Sequence, residues 1–304
     1  MEIPDPIVSR IDAAFEAMRD DFRPAMGPSQ AGEPCERKTW LSFRWAVRPH
    51  FPGRMLRLFG RGQREEAVVI SMLKMIGMEV DGSQTGVPLG GHLYGHVDGI
   101  ITKGVPQAPT TKHVLEIKTH NVKSFDGLTK GVKESKPQHY AQMQLYMLGL
   151  EIDRALYVAV CKDDDRMYTE RVELDIQYAE KEKERLQRIT VTEKMPPPIS
   201  TDPSWYQCKF CDARDMCHGS KLTREVNCRT CAHSTPLGTG AWHCMRWANV
   251  VPVDWQREGC GSHTFHPDMV PWRLDPSKST EWAAWYEGVG LVGEGGLDSK
   301  SFVV

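Results

Sequence analysis

The sequence has no apolar run long enough to cross a bilayer, and its first ten residues, MEIPDPIVSR, are not a signal peptide. These two absences point to a cytoplasmic protein with no membrane partner. Net charge is scarce too: −2 at pH 7 over 304 residues. That sum argues neither for nor against a nucleic-acid partner. The distribution says more, because acidic residues are missing altogether between Arg37 and Arg64. Eight Lys or Arg residues fall in that stretch, with Trp40, Phe43, Trp45, Phe51 and Phe59 among them. Cations can neutralise phosphates and aromatic faces can stack on unpaired bases. The competing reading is a solvated basic face with its aromatics turned into the core.

Nine cysteines are present. In a cytosolic chain they point to metal or redox chemistry rather than disulfides. Three of them, Cys208, Cys211 and Cys217, form C-x₂-C-x₅-C, one ligand short of a set. Cys35, alone and outside any strand pattern, is the candidate fourth. Such a thiolate set suits either a [4Fe–4S] cluster or zinc. A ligand so far upstream would staple the N-terminal part of the chain to this later segment. Cys228, Cys231, Cys244 and Cys260 follow with the spacing C-x₂-C-x₁₂-C-x₁₅-C, which reads as a zinc ribbon. His233, His243 and His263 lie close enough to replace one thiolate. Trp242, Trp247, Trp255 and Trp272 are expected to form the apolar centre of this module.

The chemistry centres on His92–Thr119. Asp98 sits in one apolar segment and Glu116-Ile117-Lys118 in the next, with a Gly/Pro-rich turn between them. This reads as a β-hairpin. Lys118 follows Glu116 by two residues and therefore shares its face of the strand. Carboxylates are hard ligands for Mg²⁺ or Mn²⁺, and a metal beside an ammonium suits phosphodiester hydrolysis.

Around the hairpin, helices are expected at residues 4–24 and 62–76. Glu65 and Glu66 would lie in the first turn of the second helix, where the helix dipole favours them; alternatively Glu66 turns inward as a further ligand. A lysine-bearing loop follows the hairpin. A helix through PQHYAQMQLYMLGL puts Gln142 and Tyr146 on one face, four residues apart. Two strands ending at Cys161 and near Leu174 come next, Cys161 being a small buried residue rather than a reactive thiol. A charged helix at 176–194 then runs into the linker MPPPIS. The order implies an α/β fold with a mixed central sheet of four or five strands flanked by helices. Residues 1–220 read as the main domain and 221–304 as a small zinc-binding module. Its last ten residues are expected to be loosely held.

The set Asp98, Glu116-Ile117-Lys118 resembles the PD-(D/E)xK nuclease superfamily, and Gln142-x₃-Tyr146 resembles the extra motif of its RecB-like branch. Cys35 with Cys208, Cys211 and Cys217 resembles the iron–sulfur staple of the AddB nuclease and of CRISPR-associated RecB-like exonucleases. The stretch as a whole is similar to phage-encoded exonucleases. The resemblance implies a restriction-endonuclease-like core and a metal-dependent deoxyribonuclease. It implies Glu66, Asp98, Glu116 and the Ile117 carbonyl as Mg²⁺ or Mn²⁺ ligands, with Lys118, Gln142 and Tyr146 completing the catalytic set. The substrate implied is DNA, at single-stranded ends, in the recombination, repair or processing of a bacterium or a phage-infected host, with room for a recombination or repair partner protein. Two features depart from the family pattern: Gln63 stands where a histidine is usual, and Val97 where the name-giving proline is. An inactive DNA-binding or scaffold protein and an RNA-directed nuclease are the competing functions.

Overall fold

The computed structural model describes residues 5–18, 22–219 and 221–303. Helix α1 covers Pro6–Ala17, α2 Glu36–Phe43 and α3 Gly53–Met75. Three short strands follow, β1 (Glu79–Asp81), β2 (Gly86–Gly90) and β3 (Leu93–His96), then the hairpin β4 (Gly99–Lys103) and β5 (His113–His120). Next come α4 (Val122–Asp126), α5 (Val132–Ser135) and α6 (Pro137–Leu150), the pair β6 (Arg154–Cys161) and β7 (Met167–Glu173), and α7 (Ile176–Val191).

Five strands make one mixed sheet in the order β1-β4-β5-β6-β7. β5 and β6 are parallel and the other pairs antiparallel. The parallel pair requires a crossover, and α4, α5 and α6 supply it. One face of the sheet buries Ile101, Leu115, Ile117, Leu156 and Val158 against Val69 and Leu73 of α3. The other buries Val114, Ala155, Tyr157 and Ala159 against α6, with Ala141, Met143 and Leu145 at its centre. α6 is mostly buried, because it is covered by α7 as well as by the sheet. This is the expected α/β core.

Several expectations need correction. α3 starts at Gly53, directly after Pro52, so Glu65 and Glu66 lie in mid-helix and the dipole does not explain them. Ile76, the last residue of the expected helix, is its exposed C-cap. In α1, Ile7 and Ile11 are exposed and no residue is buried; residues 4 and 19–21 of that expected helix lie outside the described residues. The lysine-bearing loop is largely helical, formed by α4, a 3₁₀ turn and α5.

Beyond α7 lie two short helices, α8 (Tyr206–Lys209) and α9 (Arg214–His218). A three-stranded sheet follows, made of β8 (Ser234–Pro236), β9 (Trp242–Cys244) and β10 (Asn249–Val250), then α10 (Val253–Gln256) and the hairpin β11 (Ala283–Tyr286) with β12 (Gly290–Gly293). Trp242 and Met269 belong to the same apolar cluster as α2 and α6, so this part of the chain is packed into the main core. Trp247 and Trp255 are exposed and do not form the expected apolar centre. Nor is the C-terminus loose. Ser299 is fully buried, and Phe302 packs against Trp272 and Phe265.

Candidate active site

The expected hairpin forms, with Gly99 opposite Leu115 and Ile100 opposite Val114. Asp98 sits at the foot of β4, half-buried. The backbone amide of Ile117 donates to its Oδ2 at 2.7 Å. Backbone geometry of β5 thus aims the carboxylate of the neighbouring strand. Glu116 is 1% exposed and ion-pairs with Lys118, its same-face neighbour. Glu116 Oε1 has that ammonium beside it but no hydrogen bond of ordinary geometry. Oε2 accepts from Gln142 Nε2 at 3.3 Å. The Lys118 ammonium also donates to the Ile117 carbonyl, at 3.3 Å.

Tyr146 lies one turn beyond Gln142 on α6. Gly95 of β3 lets it approach: a Cβ there would stand 2.9 Å from the Tyr146 hydroxyl and 2.6 Å from Pro28 Cδ. Glu66 comes in from α3, where Gln84 Nε2 donates to its Oε2 at 3.3 Å. All the residues expected at the metal and catalytic site therefore meet on one patch.

Electrostatics binds the patch together. Burial pushes the Glu116 carboxyl up to about 7, opposed by Lys118 and reinforced by Asp98 and Glu66. Asp98 is raised by burial, and Glu66 by burial and by Asp98. Tyr146 is pushed up to about 12, first by burial and then by Glu116, so its phenol is neutral. Three carboxylates face one ammonium. Ionised together they leave two uncompensated negative charges in a partly dry site, which costs free energy unless a cation is bound. Hard oxygen donors with that charge fit Mg²⁺ or Mn²⁺. Among the described residues no group of three or more His, Cys, Asp or Glu is arranged to hold a metal ion as it stands. Ligation by all three carboxylates therefore calls for side-chain rotation.

Three residues not singled out by the sequence extend the patch. His120 follows Lys118 by two residues on β5, and His139 precedes Gln142 by three on α6. Both bond the Tyr157 hydroxyl, His120 Nε2 at 2.8 Å and His139 Nδ1 at 2.9 Å. Burial pushes His120 down to about 4 and His139 to about 3, with Lys118 and Lys136 adding to both. The imidazoles are thus neutral, within the field of Lys118, Lys136 and, for His120, Lys162. Strand and helix periodicity would have found them.

The basic–aromatic segment behaves differently from a stacking platform. Trp40, Phe43 and Trp45 are buried and cannot meet a base, while Phe59 remains exposed. Each cysteine set lines a single cavity, but among the described residues neither is arranged to hold a metal ion as it stands. Cys35, Cys208, Cys211 and Cys217 line one cavity of about 330 Å³, where Arg37 Nη1 donates to Cys217 Sγ at 3.3 Å. Cys228, Cys231, Cys244 and Cys260 line another of about 550 Å³, with His233 and His263 at its wall.

The sequence profile of the PD-(D/E)XK nuclease superfamily matches residues 5–218. Comparison with curated proteins returns no match. Among solved structures, an alkaline exonuclease, LHK-Exo from Laribacter hongkongensis, is similar at 16% identity over 58% of this chain and 90% of its own, with a TM-score of 0.39. SSO0001 is similar at 15% identity over 69% of this chain and 95% of its own, with a TM-score of 0.43. A phage related exonuclease from Haemophilus somnus 129PT is similar at 18% identity over 42% of this chain and 66% of its own, with a TM-score of 0.32.

Proposed function

The chain belongs to the PD-(D/E)XK nuclease superfamily, and on that premise we propose that it is a metal-dependent DNA exonuclease acting on single-stranded ends. The observation that carries this reading is the meeting of Glu66, Asp98 and Glu116 with Lys118 on one patch. Glu66, Asp98, Glu116 and the Ile117 carbonyl would hold Mg²⁺ or Mn²⁺, which would supply Lewis acidity and charge neutralisation at the scissile phosphate. Lys118 orients the attacking water and stabilises charge developing on phosphorus. Gln142 holds Glu116 in place through its 3.3 Å hydrogen bond. Tyr146, neutral, closes the patch beside Gln142. Lys136 and Lys162, near the uncharged His120, form a path for the phosphate backbone.

We assign residues 1–220 to the nuclease domain and 221–304 to an appended module. The RecB-like branch is the one we favour, with a [4Fe–4S] cluster on Cys35, Cys208, Cys211 and Cys217. The support is that one cavity takes a cysteine from the N-terminal part of the chain and three from beyond α7. Cys228, Cys231, Cys244 and Cys260 are read as a zinc site on the same kind of support. The setting we propose is recombination, repair or processing of DNA in a bacterial or phage-infected cytoplasm. No helix among the described residues is long and apolar enough to cross a membrane.

The test is digestion of end-labelled single-stranded DNA, duplex DNA and RNA with Mn²⁺, by the parent protein and by Glu116→Ala. Loss of DNA cleavage in the variant, with single strands cut fastest by the parent, supports the reading. Faster cutting of RNA overturns the DNA assignment. A parent protein that binds DNA without cutting it favours a scaffold role.

A further inference from the structure

Two arginines are buried at the junction between the nuclease core and the C-terminal module. Arg229 lies between Cys228 and Cys231 in sequence and is 1% exposed, as is Arg44. The Arg229 guanidinium donates to Gln256 Oε1 at 2.9 Å, to the Phe43 carbonyl at 2.9 Å and to the Pro24 carbonyl at 2.7 Å. It stands 3.7 Å from the Trp45 ring centroid, 5.0 Å from that of Trp242 and 5.1 Å from that of Phe43. Arg44 donates to the Arg229 carbonyl at 3.3 Å and lies over Trp40. All these acceptors are neutral. Among the described residues, no carboxylate forms an ion pair with Arg229.

Burying a guanidinium without an anion is costly, and arginine cannot escape the cost by losing its proton. Hydrogen bonds and aromatic faces offset only part of it. The cysteines can supply the rest. Cys228 and Cys231 flank Arg229, and Cys244 and Cys260 line the same cavity. Four neutral thiols carry no charge. Four thiolates around one divalent ion carry two negative charges, enough to offset the Arg229 guanidinium; Arg44 already has Asp268 and Glu193 in its field.

The socket for Arg229 is the C-terminal end of α2. Two further bonds tie the module to that end: Asn227 Nδ2 to the Trp45 carbonyl at 3.3 Å, and Thr223 Oγ1 to the Ala46 carbonyl at 2.6 Å. The other end of α2 is capped by Cys35, from the first cysteine cavity. This helix is therefore a strut between the two sets of thiols.

We propose that Cys228, Cys231, Cys244 and Cys260 bind one zinc ion, and that its anionic tetrathiolate locks Arg229 into the aromatic socket of the nuclease domain. The module is then a metal-dependent clasp on residues 36–46. The clasp rests on the zinc reading of these cysteines and extends it.

The test uses the full chain and four proteins: the parent, Cys260→Ser, Arg229→Gln and the double variant. Zinc is measured by elemental analysis, and protection of residues 36–46 by amide hydrogen exchange. Cys260→Ser is expected to lose one zinc equivalent, with exchange in 36–46 rising about tenfold or more. Arg229→Gln keeps its zinc and shows the same rise. The double variant exchanges no faster than either, because ion and arginine act as one unit. Should Cys260→Ser lose its zinc while 36–46 stays protected, the clasp is overturned and the zinc site stands. Unchanged zinc content in Cys260→Ser overturns the zinc site itself. If Cys260→Ser fails to fold, withdrawing zinc from the parent with a chelator gives the same two readouts.

Discussion

The Ile117 amide donates to Asp98 Oδ2 at 2.7 Å, across the β4–β5 hairpin. A carboxylate held this way keeps its orientation through one oxygen, with its charge in the field of Lys118. Asp98→Asn preserves shape and removes the charge. It is expected to fold normally and to lose cleavage by about 10²-fold or more, since a ligand charge is worth several kcal/mol and each 1.36 kcal/mol is tenfold. Circular dichroism and an Mn²⁺-dependent assay check this; full activity would remove Asp98 from the site.

Gln142 acts through Glu116, to which it donates at 3.3 Å. Gln142→Ala is expected to reduce activity by about 10–100-fold, the range for groups that orient a ligand. Part of the loss returns at higher Mn²⁺, because the carboxylate is misplaced rather than missing. An Mn²⁺ titration of the rate separates the two cases, and a loss that no Mn²⁺ concentration relieves contradicts the positioning role.

Glu116 sets a pH dependence. Burial raises its folded-state pKa from the usual 4.5 to about 7, helped by Asp98 and Glu66 and opposed by Lys118. A carboxyl raised on folding contributes stability that is full below about 4.5. That contribution is lost as pH rises through about 7 in the cation-free protein. A divalent cation binds the ionised form and offsets the loss. The Mn²⁺-induced rise in Tm should therefore grow between about pH 5.5 and about pH 8. Thermal melts across that range test it, and a constant increment is the contrary result.

Gly95 is a packing requirement of the site. A methyl group there would meet Pro28 Cδ at 2.6 Å and the Tyr146 hydroxyl at 2.9 Å. Gly95→Ala should lower stability by about 1–3 kcal/mol, the usual cost of overpacking, and lower activity as Tyr146 is displaced. A melt and an assay on the same sample decide whether Tyr146 is placed by this contact; a variant as active as the parent shows that it is not.

The hairpin, α6 and the β6–β7 pair were legible because their signals are local: alternation, a Gly/Pro turn and a proline at a helix start. The shared face of Glu116 and Lys118 follows from strand period alone, and the ion pair between them agrees with it. Other features depend on partners remote in sequence. Trp40 and Trp45 look like a stacking platform until Arg44 and Arg229 are seen to occupy their ring faces. Composition also misjudges Trp247 and Trp255, which are exposed while Trp242 and Met269 pack into the main core. His120, His139 and Tyr157 went unread because a neutral hydrogen-bonded triad has no motif, although their spacing to Lys118 and Gln142 was visible.

The central claim is that the patch around Glu116 and Lys118 hydrolyses DNA. Its most direct test is the rate at which Lys118→Ala releases nucleotides from end-labelled single-stranded DNA with Mn²⁺, set beside the Mn²⁺-induced Tm shift of the same preparation. The expected result is a fall in rate of about 10²-fold or more, with the Tm shift retained because the carboxylates remain. Cleavage at the parent rate by a folded Lys118→Ala protein would contradict the account.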